Sequence, residues 1–404
     1  MPHILFLNWR DTRNPEGGGS EVYTERIAAE LVTHGHRVTL LCAAHPSGPA
    51  AQVLPSGVHV LRRGGRHTVY LRAALAYLVG AVRLGPLAPA RRGRPDLIVD
   101  VCNGVPFLSP LYARCPTVVV VHHVHREQWP VVLGGRRGRI GWWLESRLAP
   151  RVYRRCRYVT VSTATRDELA SLGVPPSRVL LIHNGLTDPD PEPVARSPYP
   201  CLVVLGRLVP HKRVEYALHA LAELPLARLV VAGRGWWEPQ LRRRAAELGV
   251  TGRTAFAGHV SEAEKHRLLA AGWVVLVPSL KEGWGLTILE AGARGTPAVA
   301  FRSAGGVRDA ILDGRTGLLA DDLADFVAKT RLLLTDATAR DRMGAGARAY
   351  ASGFTWTGAG RTWAALVAGV LSGRRRTPAA PADRSRHPSR WSAPSRWRPR
   401  RRSG

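Results

Sequence analysis

Apolar residues in the first half of this chain cluster in short, nearly continuous runs, with longer mixed segments between them. Apolar runs without polar alternation are typical of parallel β-strands that are buried on both faces. The predicted strands are Ile4–Asn8, Arg37–Cys42, Val58–Leu61, Leu97–Val101, Thr117–Val121 and Tyr158–Ser162. Helices such as Ser20–His34 fill the intervals, and repeated strand–helix–strand units predict an open parallel sheet covered by helices.

A proline-rich segment then interrupts the pattern. The sequence DPDPEPVARSPYP, from Asp188 to Pro200, suits the interior of neither a helix nor a sheet. Beyond it the strand-like runs resume as Leu202–Leu205, Leu229–Ala232, Thr254–Phe256, Val274–Val277 and Ala298–Phe301. We therefore predict an α/β protein with two Rossmann-like, doubly wound domains, residues 1–190 and 191–355. Their strands would end at a shared cleft, where ligands of such sheets bind.

The chain changes character again in residues 373–404, which hold eleven Arg, one Asp, repeated Pro and Ser, and two Trp. This tail cannot bury enough apolar surface to fold, so we predict that it is disordered. The whole chain carries 58 Lys and Arg against 30 Asp and Glu, a net charge of +28. That excess suits polyanionic partners, but it does not distinguish nucleotide phosphates from anionic lipid headgroups or nucleic acid.

The cysteines and the hydropathy limit where the protein works. The five cysteines form no C-x-x-C pair, which favours a reducing compartment over a zinc site or a disulfide framework. The N-terminus lacks a signal-peptide pattern, and the most hydrophobic helix candidate, Val69–Leu87, is interrupted by Arg72 and Arg83. Because a membrane span needs about 20 mostly apolar residues, we predict no transmembrane helix and a cytoplasmic location. Peripheral contact with the inner face of the plasma membrane stays open.

A glycine loop, Gly17-Gly18-Gly19-Ser20-Glu21, stands between the first strand and a helix. Glycines allow close backbone approach, and Ser20 would cap a helix whose first amides face an anion. A plain flexible loop is the alternative. The loop is not the dinucleotide motif G-x-G-x-x-G, which weakens a dehydrogenase interpretation.

Three histidines, His122, His123 and His125, follow directly from the buried strand Thr117–Val121. At the carboxyl end of a parallel strand, an imidazole can hydrogen-bond a ligand hydroxyl or move a proton. A metal site or a solvated basic loop are the alternatives. Only one carboxylate, Glu127, and no cysteine lie close by in the sequence, which makes a metal site the weaker of these interpretations.

Two further motifs follow strands of the second half. In Gly206-Arg207-Leu208-Val209-Pro210-His211-Lys212, the side chains of Arg207 and Lys212 would present two positive charges to a diphosphate. In Glu282-Gly283-Trp284-Gly285-Leu286-Thr287-Ile288-Leu289-Glu290, two carboxylates stand eight residues apart, the first in a glycine-containing loop and the second in a predicted helix. The backbone amides of the helix near Leu286 would face a phosphate group. Glu290 would accept hydrogen bonds from the ribose hydroxyls, and Glu282 would hold the transferred group.

Taken in order, these motifs resemble the retaining glycosyltransferases of family 4, which have the GT-B fold. The resemblance spans about residues 1–370 and includes the glycine loop, the G-R-x4-K motif and the E-x7-E motif. It also includes His183-Asn184-Gly185 before the proline-rich segment and Thr316–Leu319 with the sequence TGLL. A nucleotide-diphosphate sugar is then the implied donor substrate, with no cofactor.

The resemblance also implies a role for each matching residue. Arg207 and Lys212 bind the donor diphosphate, and Glu282 contacts the donor sugar. The implied nucleotide-sugar contacts are Gly18, Gly19, Gly283, Trp284, Gly285, Leu286 and Glu290. The catalytic histidine corresponds to His122, although His123 follows it where the family usually has Asp. Retention of anomeric configuration is implied too, and helix 356–372 crosses back to the first domain.

Several alternatives accompany this interpretation. Asp188-Pro189-Asp190 fits the D-x-D string of metal-dependent sugar transferases, but no buried strand precedes it, and the paired basic residues can supply the charge of a metal. The helix candidate Arg136–Arg155, with Trp142 and Trp143, resembles an interfacial helix that would suit a lipid-linked acceptor. A different function class is a protein that binds polyanions or membranes through its basic surface and tail. A sugar phosphorylase would need a lysine-bound pyridoxal cofactor.

Overall fold

The computed structural model describes residues 1–81, 84–85, 87, 94–187 and 194–373. Residues 81 and 131–133 are described by their backbone alone. Three predicted features lie wholly or partly outside the described residues. They are the tail beyond residue 373, the Asp188-Pro189-Asp190 string and the end of the predicted helix Val69–Leu87.

The first sheet is built from the buried apolar runs of the first half. Its strands are β1 His3–Leu7, β2 Arg37–Cys42, β3 Ala51–Val53, β4 His59–Arg62, β5 Leu97–Val101, β6 Thr117–Val121, β7 Arg157–Thr160 and β8 Val179–Leu181. They are ordered β3-β4-β2-β1-β5-β6-β7-β8. Each neighbouring pair is parallel except β3 with β4. Helices cover both faces: α1 Gly19–Thr33, α2 Val69–Ala81, α3 Gln128–Leu133, α4 Gly135–Trp143, α5 Ala149–Val152 and α6 Thr163–Ser171.

The second sheet repeats this architecture. Its strands are β9 Cys201–Leu205, β10 Arg228–Ala232, β11 Thr254–Gly258, β12 Val274–Val277, β13 Ala298–Phe301 and β14 Gly317–Ala320, all parallel, in the order β11-β10-β9-β12-β13-β14. Its helices are α7 Val214–Ala222, α8 Glu238–Glu247, α9 Glu262–Ala271, α10 Leu286–Ala293, α11 Val307–Ala310, α12 Leu323–Thr335 and α13 Ala337–Ala351. The last helix, α14 Trp356–Leu371, packs against α1 of the first sheet, where Trp363 Nε1 donates to the Tyr23 hydroxyl at 2.8 Å.

Three strands and one helix differ from the prediction. The strands β3 and β8 were missed because each has three residues and is only partly buried, so they carry little apolar signal. The strand β14 is buried and as long as β12, but its sequence GLLA has none of the β-branched or aromatic residues that are enriched in strands. The predicted helix Arg136–Arg155 is divided into α4, a π-helical turn at Leu144–Leu148 and α5. Pro150 explains the division, because its ring clashes with the carbonyl four residues earlier and it has no N–H to donate.

The chain approaches itself closely where the two halves meet. A β-carbon on Gly185 would lie 2.1 Å from the Trp356 backbone nitrogen, so only glycine fits there. Leu186 also forms a bridge with Thr355. Further toward the cleft, the Thr163 backbone and hydroxyl donate to the Asp309 carboxylate, and Lys281 pairs with Glu168. These contacts hold the carboxyl ends of the two sheets face to face.

Candidate active site in the interdomain cleft

A lysine and a glutamate, 70 residues apart in sequence, form an ion pair in the cleft. Lys212 ends a 3₁₀ turn at Pro210–Lys212, and Glu282 lies in the loop after β12. Lys212 Nζ is 2.6 Å from Glu282 Oε1, and Ser279 Oγ donates to the same oxygen at 2.6 Å. Burial alone would raise the pKa of Glu282, but the charge and hydrogen bond of Lys212 lower it below its ordinary value. Glu282 is therefore ionised at neutral pH.

His122 comes from the first domain and lies against the loop that carries Glu282. A β-carbon on Gly283 would be 2.9 Å from the His122 carbonyl oxygen, so the two domains meet backbone to backbone here. The imidazole is buried, with its ring edge-on to Tyr23 at 5.1 Å between centroids. Within the described residues its Nε2 atom has no hydrogen-bond partner. Burial, aided by the charge of His125, lowers the pKa of His122 to about 4, so the ring is neutral at pH 7.

The other two histidines of this loop are engaged with protein groups. His123 contacts Gln128 Oε1 at 3.3 Å through Nε2, and burial lowers the pKa of His123 well below its ordinary value. His125 Nδ1 lies 2.8 Å from Glu145, which also accepts from the Trp129 indole at 2.7 Å. Of His122 and His123, it is His122 that retains a buried ring nitrogen without a partner among the described residues.

The glycine loop faces the second domain from the opposite wall of the cleft. A β-carbon on Gly19 would lie 3.9 Å from a methyl group of Leu286. The loop is held by Glu21, a fully buried carboxylate that accepts from the Gly18 backbone N–H at 2.7 Å and from Arg10 at 3.2 Å. The prediction that Ser20 caps α1 is wrong: the helix begins at Gly19 with Gly18 as N-cap. Ser20 is the second residue of the helix, and its hydroxyl donates to Glu21 Oε1 at 2.9 Å.

Arg207, from the second domain, is exposed and lies near Arg10 of the first domain. The positive charge of Arg207 contributes to lowering the pKa of Arg10, after the larger effect of burial. The same charge, together with burial and Lys212, lowers the pKa of His211 to about 4. The cleft therefore collects cationic groups from both domains, and a bound anion would relieve their mutual repulsion.

The start of α10 provides the second part of the site. Gly285 is its N-cap with φ of 92°, a conformation that favours glycine, and Leu286 is its first residue. Trp284 is buried and stacks on His183 with ring centroids 5.5 Å apart. Glu290, about one turn into the helix, pairs with Lys265 Nζ at 2.7 Å, and burial raises its pKa despite that charge.

The structure brings several of the predicted residues together at one cleft, and it adds others. The loop glycines, His122, Lys212 and Glu282 line facing walls, with Leu286 opposite Gly19. Sequence reasoning missed the partners of the predicted residues: Ser279, Arg10, Glu21 and Lys265. Arg10 could have been found from the sequence, because it lies in the loop after β1 and other site residues also lie in loops after strands. Lys265 carries none, since it lies on a helix distant from Glu290 in sequence.

Two features are absent from the described part of the chain. No group of three or more His, Cys, Asp or Glu side chains in that part is arranged to hold a metal ion. None of its helices is long and apolar enough to cross a membrane.

Comparison with known proteins identifies two family models that meet near the proline-rich segment. Residues 17–188 match the model described as Glycosyltransferase Family 4, and residues 190–350 match Glycosyl transferases group 1. Together these matches cover most of the chain.

Individual relatives differ in how far they align. A glycogen synthase from Mycobacterium tuberculosis is 28% identical over 389 residues, which cover 87% of this chain and 91% of that protein. A GDP-mannose-dependent alpha-(1-6)-phosphatidylinositol monomannoside mannosyltransferase from Mycolicibacterium smegmatis is 34% identical over 240 residues, 53% of this chain and 62% of that protein. A D-inositol 3-phosphate glycosyltransferase from Nocardioides is 36% identical over 212 residues, 45% of this chain and 46% of that protein.

Solved structures agree in fold. Sucrose-phosphate synthase from Thermosynechococcus elongatus has a TM-score of 0.76 at 18% identity, covering 92% of this chain and all (100%) of that one. Anabaena HepE in complex with UDP and glucose has a TM-score of 0.69 at 20% identity, covering 91% of this chain and 100% of that one. Both structures share the two-domain α/β architecture of this chain over most of its length, so the predicted GT-B fold is confirmed.

Proposed function

Since the chain belongs to the family 4 glycosyltransferases of the GT-B fold, we propose that it transfers a hexose from a nucleotide-diphosphate sugar with retention of anomeric configuration. The relatives named above support a hexose of mannose or glucose type. The proposed acceptor is a lipid-linked, glycan or small-molecule hydroxyl.

The observation that carries this proposal is the Lys212–Glu282 pair, 2.6 Å apart, facing His122 across the cleft. A leaving diphosphate accumulates negative charge as the bond from the anomeric carbon to the diphosphate oxygen breaks. Preorganised positive groups aimed at such charge lower the barrier. Lys212 and Arg207 are the groups proposed for this role, and they replace the charge of a metal ion.

The remaining residues would orient the donor. Glu282, ionised beside Lys212 and Ser279, accepts hydrogen bonds from sugar hydroxyls. His122, kept neutral by burial, can donate or accept one hydrogen bond through Nε2. Glu290 is proposed for the ribose hydroxyls, and the first amides of α10, with Gly283, Trp284 and Gly285 before them, for the phosphates. The acceptor hydroxyl then attacks the anomeric carbon on the face from which the diphosphate departs. The new glycosidic bond forms as the bond to the diphosphate oxygen breaks, and the hydroxyl proton passes to that departing oxygen.

A donor panel tests this function directly. Thermal unfolding of the full chain is followed with GDP-, UDP- and ADP-sugars in the presence of EDTA, because a ligand that binds the native state raises Tm by mass action. The proposal predicts that one nucleotide class raises Tm. It also predicts that NMR of a product made from that donor shows the anomeric configuration of the donor. Absence of any shift across the panel, or an inverted product, would refute it.

A further inference from the structure

A basic pocket lies in the first domain at the opposite end of its sheet from the cleft. Arg154 and Arg155 follow α5, Tyr158 is the second residue of β7, and Arg178 immediately precedes β8. These residues line one cavity of about 360 Å³, a volume within the usual range of small-molecule sites. Because they stand where strands begin, and the cleft stands where strands end, this pocket is separate from the candidate active site.

The arginines of this pocket have no internal counter-charge. Arg154 and Arg155 are exposed and Arg178 is half-buried. Across the described ranges, none of the three guanidinium groups forms an ion pair or a hydrogen bond with a protein group, whereas the neighbouring Arg157 donates to the Ser177 carbonyl at 3.2 Å. Three like charges that share a pocket repel one another, so an anion placed among them would be stabilised.

Tyr158 adds an unsatisfied donor to the same cavity. Its side chain is 3% exposed, and its hydroxyl is buried without a hydrogen-bond partner within the described part of the chain. Buried hydroxyls are costly unless they are paired. Tyr158 and Arg178 line the same cavity, and burial raises the pKa of Tyr158. The hydroxyl stays protonated and can donate to an anion.

We propose that this pocket binds a phosphate group, carried by a soluble phosphate or by a lipid headgroup. Guanidinium groups donate in a planar fork that matches two phosphate oxygens, and the phenol supplies a further donor. The competing explanation is structural: α5 and α6 both end beside the pocket, and arginines near helix C-termini stabilise the helix dipole. That explanation accounts for the arginines but leaves the Tyr158 hydroxyl unpaired.

The test measures binding of inorganic phosphate to the full chain by calorimetry. The variants are Arg178→Gln, Tyr158→Phe and, as a matched control, Arg243→Gln on the exposed face of α8. The cleft is also proposed to bind phosphates. The contribution of this pocket is therefore taken as the difference in phosphate affinity between each variant and the control. Arg178→Gln should weaken, roughly tenfold, a component whose Kd is about 1 mM or tighter. Tyr158→Phe should weaken it less, and Arg243→Gln should leave it unchanged.

Two results would overturn the proposal. One is that Arg178→Gln and Tyr158→Phe bind phosphate as the control variant does. The other is that Arg178→Gln lowers Tm while leaving phosphate affinity unchanged, as the helix-dipole explanation requires.

A second arm distinguishes the sources of phosphate. Phosphatidylcholine vesicles with and without phosphatidic acid are sedimented with the wild type, Arg178→Gln and Arg243→Gln, since the arginine-rich tail contributes equally to all three. Binding to phosphatidic acid that depends on Arg178 identifies a lipid headgroup. Arg178-dependent binding of inorganic phosphate without such sedimentation identifies a soluble phosphate.

Discussion

Replacing Lys212 with alanine should reduce turnover by about 10²–10³-fold, the usual cost of removing one charge-stabilising donor. The Nζ–Oε1 distance of 2.6 Å corresponds to roughly 6 kcal/mol of attraction at an effective dielectric of about 20, before desolvation is subtracted. Leaving one member of a fully buried pair unpartnered costs about 3–5 kcal/mol, and the cost here should be smaller because the two side chains are 23% and 16% exposed. Lys212→Ala should therefore also lower the free energy of unfolding, because Glu282 is left with Ser279 alone.

The pH dependence separates these two effects. In the wild type the pKa of Glu282 lies below its ordinary value of 4.5, so the pair contributes stability that is present above that pH and is lost as pH falls through the folded-state pKa. In Lys212→Ala, burial acts without the lysine charge and the pKa of Glu282 rises, so this contribution disappears. Tm measured from neutral pH downward should show the difference.

Two controls decide whether the loss of turnover is specific. Lys329→Ala removes a lysine that pairs with Asp325 at 2.7 Å on the surface of α12, and it should retain near-normal turnover, since such pairs contribute only about 0.3–0.5 kcal/mol. The double variant Lys212→Ala/Glu282→Gln should recover stability without recovering turnover. Near-normal turnover in a folded Lys212→Ala protein, measured as donor hydrolysis or transfer, would refute the reasoning.

Three further predictions concern other parts of the cleft. The wild type should lose free energy of unfolding between pH 7 and pH 4, and in His122→Gln this loss should be smaller by about 3 kcal/mol. The reason is that burial lowers the pKa of His122 from 6.5 to about 4, so the unfolded chain takes up the proton first as pH falls. Parallel curves of unfolding free energy against pH for the two proteins would contradict this. Gly283→Ala should lower kcat/KM at least about tenfold, since its β-carbon would lie 2.9 Å from the His122 carbonyl, whereas Gly252→Ala, with open space around it, should be neutral by the same assay. Glu290→Gln should weaken nucleotide-sugar binding about tenfold by calorimetry if this carboxylate holds the ribose; unchanged affinity would exclude that role.

The sequence predicted where each motif lies in the fold, because each motif follows a predicted strand. Parallel strands buried on both faces require continuous apolar runs, so β5, β6, β12 and β13 were predicted with the bounds that the structure has. Short strands with partly exposed residues, such as β3 and β8, escape this rule. The N-cap of α1 was misjudged although its signal is local: Glu21, three residues after the N-cap Gly18, accepts from the Gly18 backbone N–H, and this capping box begins the helix one residue before Ser20.

What the sequence determined by itself was therefore local: the strand and helix order, the proline-rich break, the glycine loop and the two spaced motifs. The tertiary structure decided which of these groups meet. It paired Lys212 with Glu282, placed His122 over Gly283, and left His122 Nε2 without a partner among the described residues. The physical reason is that charge interactions and hydrogen bonds depend on distance through space and on burial, and neither is encoded by spacing along the chain when 70 or more residues separate the partners.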